Sequence, residues 1–211
     1  RALGAEPIIT MTDYALPAEE LPEHMAELVE YLNAPATPEH PWAMKRAKWG
    51  NPEPYCVRYF ELGNESSHGS HNLVPRRHYT PEEYAAYFRS CAAAMRRVDP
   101  AVRLGIVMEP GTGEQYDSPW NRTVLEQAGK EADFVVLHFY APRIADQTPQ
   151  QALAAVLAYG DQVEFRLKQY REQARALTGR ELPLAMTEFN IGSTGNKPYP
   201  WRFSFLAGLM N

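Results

Sequence analysis

Five short, almost uninterrupted apolar runs alternate with helical stretches along this chain, and that alternation limits its fold more than any other feature. The runs are Glu6 to Met11 (EPIITM), Tyr55 to Leu62, Val102 to Met108 (VRLGIVM), Asp133 to Tyr140 (DFVVLHFY) and Leu182 to Phe189. A strand wetted on one face alternates apolar and polar residues, whereas a strand buried on both faces reads as these do. Between them, Leu21, Met25, Leu28, Val29 and Leu32 give Ala18 to Asn33 the spacing of an amphipathic helix. Thr80-Pro81-Glu82-Glu83 announces a second helix, ending near Val98 before Asp99-Pro100. Further helices are predicted over Trp120 to Ala132 and Pro149 to Leu177, the latter interrupted near Gly160. Residues 34 to 54 hold Pro35, Pro38, Pro41, Pro52 and Pro54 together with Trp42 and Trp49, which predicts a long ordered loop. The class is α/β, with a parallel sheet covered by helices.

Strand-helix units of this kind build either an open doubly wound sheet or an eight-stranded (β/α) barrel. The first strand-helix turn carries no GxGxxG, and Gly111-Thr112-Gly113 lacks the Lys-Ser/Thr that a P-loop requires, so nucleotide binding has no support. The expectation is therefore a TIM-barrel type, incomplete by about three units. Residues 1–211 are then part of a single catalytic barrel domain. The chain starts without Met close to a strand and ends in an apparent helix at Leu209-Met210-Asn211, as a piece of a longer protein would.

Composition narrows the partners. With 45% hydrophobic and 22% charged residues the chain is an ordinary globular one, and a net charge of -5 without a Lys/Arg run argues against nucleic acid. No apolar run reaches the roughly 18 residues of a membrane span, and RALGAEPIIT has no signal-peptide core. Cys56 and Cys91 set no disulfide framework and are expected to be small buried hydrophobes.

Chemistry enters at two strand tips. The Tyr55 strand stops at Gly63 and delivers Asn64 and Glu65; the last strand delivers Thr187, Glu188 and Asn190. Barrel enzymes concentrate function at the C-terminal ends of strands, and a carboxylate on each of two strands is the equipment of glycoside hydrolysis. One carboxyl group, kept protonated by its surroundings, serves as acid; the other stays ionised.

The same residues carry a family resemblance. Leu62-Gly63-Asn64-Glu65 resembles the acid/base motif of clan A glycoside hydrolases, and Thr187-Glu188-Phe189-Asn190 resembles their nucleophile motif, commonly Glu-Trp-Asn in glycoside hydrolase family 51. Pro7-Ile8-Ile9-Thr10, Asp99-Pro100 and His138-Phe139-Tyr140 follow that family's order. The resemblance implies a retaining α-L-arabinofuranosidase or close relative, spanning strands three to seven of the barrel. Glu65 is then general acid/base and Glu188 nucleophile, Asn64 bonds a substrate 2-hydroxyl, and Tyr140 orients Glu188. Phe189 stands where the family has Trp, and Ser66 to His71 departs from the family pattern. A xylosidase, glucuronidase or endo-glucanase of the clan fits the same motifs, as does a non-catalytic carbohydrate-binding barrel. His138, Asn190, His68 and one of Trp42 or Trp49 are further candidate sugar contacts. His68, His71 and His78 lack a cysteine or carboxylate at ligand spacing, so neither metal nor cofactor is expected; the partner is carbohydrate.

Overall fold

The computed structural model describes residues 4–14, 16–69, 78–109, 118–141 and 148–191. Within these, five strands form one sheet: β1 (Ile8–Met11), β2 (Tyr59–Leu62), β3 (Arg103–Val107), β4 (Phe134–Ala141) and β5 (Leu184–Ile191). Every neighbouring pair is parallel, and the spatial order is the sequence order. A doubly wound sheet reverses direction at a switch point. A sheet that always steps the same way keeps curling, and these five strands make a curled half-barrel with helices.

The helices are α1 (Leu21–Asn33), α2 (Pro41–Lys48), α3 (Pro81–Val98), α4 (Pro119–Ala128), α5 (Pro149–Leu157) and α6 (Tyr159–Thr178). Their starts are written in the sequence. Thr80 and Glu83 close a reciprocal capping box on α3, Thr148 and Gln151 do the same for α5, and Ser118 caps α4. The long predicted helix breaks at Ala158, two residues before Gly160, into α5 and α6.

The predicted loop over residues 34 to 54 is corrected by α2. Pro41 occupies its first turn, where a missing N–H costs nothing, so the proline starts a helix instead of forbidding one. Arg46 then locks the region. Fully buried, it donates to the carbonyls of Tyr31 (2.6 Å), Ala34 (2.9 Å), Asn51 (3.0 Å) and Pro52 (3.0 Å). The strand predicted from Tyr55 begins only at Tyr59. Its approach is paired elsewhere: the Asn33 side chain accepts from Val57 N (2.8 Å) and donates to Val57 O (2.7 Å).

Between the sheet and helices α3 and α4 lies an aromatic core of Phe60, Tyr84, Phe88 and Trp120. The inner face is tight at Gly105, where a Cβ would run into the Phe134 ring and meet Val136 Cγ2 at 2.8 Å. Cys91 is buried in this core, and burial pushes its thiol up to about 12. Cys56 departs from the expectation. It is exposed, in the approach to β2.

Candidate active site

The site is built where β2 stops. Tyr84, fully buried on α3, donates its hydroxyl to Leu62 O (2.7 Å) and accepts from Val107 N (2.8 Å), standing between β2 and β3 where the two strands part. Gly63 N reaches the other way, to Met11 O (3.0 Å) on β1. At φ +99° this residue sits where only glycine is at ease, and a Cβ would strike Ser66 Oγ and meet Asp13 Oδ2 at 3.1 Å. Buried Ser66 donates to buried Asp13, whose carbonyl accepts from Tyr79 (2.7 Å). Glu65 itself has φ +48°, a strained conformation for a glutamate, held by His68 N (3.1 Å) and Gly69 N (2.9 Å) on its carbonyl.

From the far edge comes Glu188. β4 and β5 pair in simple register from Val135↔Leu184 to Leu137↔Met186, and then His138 pairs with Glu188. Thr187 is the extra residue of a β-bulge, and it changes which side chains share the face of His138 and Tyr140: Glu188 and Asn190 instead of Thr187 and Phe189. Tyr140 donates to Glu188 Oε2 (2.7 Å) and pairs across the strands with Asn190.

His138 is the hub. Its Nδ1 lies 3.2 Å from Glu65 Oε1 and 3.6 Å from Glu188 Oε2, and its Nε2 lies 3.8 Å from Glu61 Oε1. One oxygen of Glu65, one of Glu188 and a His138 nitrogen all lie within 4.8 Å of one another. Burial disfavours a charged imidazole, but Glu61, Glu65 and Glu188 outweigh it and push the group up to about 9. The three carboxylates thus favour the protonated ring over the neutral one. Among the described residues, this trio is the one cluster whose donors are close enough to share a cation.

Of the residues singled out in the sequence, Glu65, His138, Tyr140, Glu188 and Asn190 converge here. Half-buried Asn64 sits beside Glu65, its amide free of hydrogen bonds to the described residues, and His68 Nε2 lies 3.7 Å from Glu65 Oε2. Trp42 and Trp49 are not brought to this end. Trp42 lies in α2 and Trp49 at its C-cap, and Arg46 ties that helix to segments preceding β2, at the N-terminal end of the sheet; Trp49 is 80% exposed. His71, Gly111 to Gly113 and Trp201 lie outside the described residues. Two residues escaped the sequence reading. Glu61 had a signal, a lone charge inside the apolar strand YFEL; Tyr84 had none beyond being one aromatic on a helix face.

Asn121-Arg122-Thr123 matches a glycosylation sequon, but Asn121 is fully buried. Its amide is spent on the backbone of Glu109, accepting from N (2.7 Å) and donating to O (3.1 Å).

A one-way parallel half-barrel with two carboxylates meeting at its strand tips is the architecture of a barrel hydrolase. The alpha-L-arabinofuranosidase 1 domain profile matches residues 2–153, and the chain belongs to that family, a glycoside hydrolase family of the family 51 type. It is 31% identical over 174 residues to an intracellular exo-alpha-(1->5)-L-arabinofuranosidase of Streptomyces lividans, covering 78% of this chain and 24% of the relative. A protein of the same description from Acetivibrio thermocellus is 25% identical over 189 residues, 84% of this chain and 35% of the relative. The crystal structure of an alpha-L-arabinofuranosidase from Thermotoga maritima, in an arabinose complex, superposes with a TM-score of 0.71 at 23% identity, covering 99% of this chain and 39% of that one. The chain thus spans between about a quarter and two fifths of the length of these relatives.

Proposed function

We propose that the complete protein carrying this chain is a retaining glycoside hydrolase that removes terminal α-L-arabinofuranosyl groups from carbohydrate. The observation that carries the reading is the meeting of Glu65 and Glu188, with carboxylate oxygens within 4.8 Å across His138. A separation of about 5 to 5.5 Å between carboxyl groups belongs to double displacement, and about 6.5 to 9.5 Å to inversion. Residues 1–211 then form strands three to seven of a single catalytic barrel.

In the first step the ionised Glu188 oxygen attacks the anomeric carbon while Glu65 gives its proton to the departing glycosidic oxygen, leaving a glycosyl ester on Glu188 and an ionised Glu65. In the second, Glu65 takes a proton from water, the water oxygen attacks the anomeric carbon, and the ester bond breaks. Tyr140 orients Glu188 through its 2.7 Å hydrogen bond, and Asn64 offers a free amide to the sugar 2-hydroxyl. His68 and Asn190 flank the same opening. No cofactor enters either step. The relatives' names differ in linkage, (1->5) in Streptomyces lividans and (1->6) in one from Bifidobacterium longum, so the pair alone does not select the bond.

The test is a pair of variants assayed on an aryl arabinofuranoside. Glu188→Ala is expected to abolish turnover, whereas Glu65→Ala keeps the first step for a good leaving group and regains turnover with azide. NMR of the first-formed product should show the anomer retained. Full activity in Glu188→Ala, or an inverted product, would sink the proposal.

A further inference from the structure

Double displacement uses Glu65 and Glu188 and leaves a third carboxylate unexplained. Glu61 lies on β2, 1% exposed, with Oε1 3.8 Å from His138 Nε2 and Oε2 3.5 Å from the Thr10 hydroxyl. A carboxyl group this dry stays ionised only beside a cationic partner, and His138 is the only basic side chain within ion-pair distance of it among the described residues.

The ring's two nitrogens settle which form of histidine fits. A neutral ring protonated only at Nδ1 would aim a lone pair from Nε2 at Glu61. One protonated only at Nε2 would aim a lone pair from Nδ1 at the ionised Glu188. Only the imidazolium presents an N–H to both sides. Among the described residues His138 Nε2 has no hydrogen-bond partner, and the attraction of Glu61 at 3.8 Å is what reaches it there.

We propose that Glu61 is a positioning residue, holding His138 doubly protonated through a buried ion pair so that Nδ1–H is a fixed donor shared by Glu65 and Glu188. The inference rests on the catalytic reading of that pair. As the glycosyl ester forms, negative charge leaves Glu188 and appears on Glu65; as it hydrolyses, the charge returns. An N–H at 3.2 and 3.6 Å from the two oxygens follows the charge without moving the ring, and such a preorganised donor is where catalysis gains most. The proton on His138 stays in place throughout. Glu61, Glu65 and Glu188 are the charged groups facing the ring; β1 presents Thr10, and β3 carries no titratable side chain beyond Arg103 at its start. The upward push on the imidazole agrees with this arrangement.

The experiment is ¹⁵N-histidine NMR on the complete polypeptide, with His138 assigned by its loss in His138→Gln, alongside kinetics on an aryl arabinofuranoside. In the wild-type protein both ring nitrogens should be protonated at pH 7.5. In Glu61→Gln the His138 midpoint should fall by about one pH unit or more. There kcat should fall roughly 10- to 100-fold, with KM within about twofold. An ordinary wild-type midpoint near 6.5, or an unchanged midpoint in Glu61→Gln, overturns the proposal, and the wild-type titration decides it even if the variant does not fold. A wild-type protein with a doubly protonated ring and no glycosidase activity would instead overturn the catalytic reading, and the positioning role with it.

Discussion

Replacing Tyr84 with Phe removes one oxygen from the molecule and should cost far more than one hydrogen bond. That hydroxyl is fully buried, donates to Leu62 O at 2.7 Å and receives Val107 N at 2.8 Å. Both partners are main-chain groups at the parting of β2 and β3, with no water to turn to. A lost partner strands a buried polar group at about 1–3 kcal/mol, so two such groups give about 2–6 kcal/mol. That is a sizeable share of a typical total of roughly 5–15 kcal/mol. With a slope of about 2 kcal/mol/M, urea unfolding should show a midpoint lower by about 1–3 M and the slope unchanged. Leu62 is also the last residue before Gly63, so a shift there moves Glu65, and kcat at 25 °C should drop by roughly tenfold or more. Tyr87→Phe is the matched control. Its hydroxyl is buried on the same helix with no N or O partner among the described residues, so its loss should change stability by no more than about 0.5 kcal/mol. A Tyr84→Phe protein that unfolds at the wild-type midpoint would refute the reasoning.

Other sites give sharper contrasts. Arg46→Met strands four carbonyls and should destabilise the protein by about 4 kcal/mol, with kcat unchanged below the transition; Arg46→Lys should not rescue it, since one ammonium cannot span four acceptors. Trp49→Ala should leave kcat/KM on oligosaccharides unchanged, because Trp49 stands at the opposite end of the sheet; a large rise in KM would return it to the substrate. His138 also links folding to pH. Its folded value is raised, to about 9, so its contribution is complete below the unfolded value near 6.5 and is lost as pH rises through 9. The urea midpoint should fall across that window, and less so in Glu61→Gln.

Much of the scaffold was legible because it is local. Continuous apolar runs gave the parallel strands, and Thr80-Pro81-Glu82-Glu83 gave the start of α3 to the residue, since a capping box is made by neighbours in sequence. Glu65 and Glu188 were legible because each ends a run. What stayed hidden depends on partners far along the chain. The paired prolines around α2 read as a loop until Arg46, buried against carbonyls from two segments, turns them into a helix and its anchors. Glu61 looked like a strand residue of no consequence because His138, its counter-charge, arrives from two strands away. Whether Trp42 and Trp49 face the site depends on which end of the sheet carries their loop, and periodicity carries no such information.

The departures from regular structure gather at one end, and each aims a residue that a regular sheet would misplace. Without the extra residue at Thr187, the register set by Leu137↔Met186 would put Thr187 opposite His138 and turn Glu188 to the other face. Without the left-handed turn at Gly63 and Glu65, the chain would continue along β3 and carry its carboxylate away from β4. Both devices are costly: Thr187 Oγ1 is buried without a partner among the described residues, and Glu65 is strained. Strain of this kind persists only where the surroundings over-determine it, and the surroundings do. Tyr84, Asp13 and Ser66 fix the turn from below, and His138 draws both carboxylates from above. A structural role alone would be served better by an ordinary strand end, so the coincidence of two costly distortions on two carboxylates is itself an argument that the pair, and not either residue singly, is what the fold was selected to present.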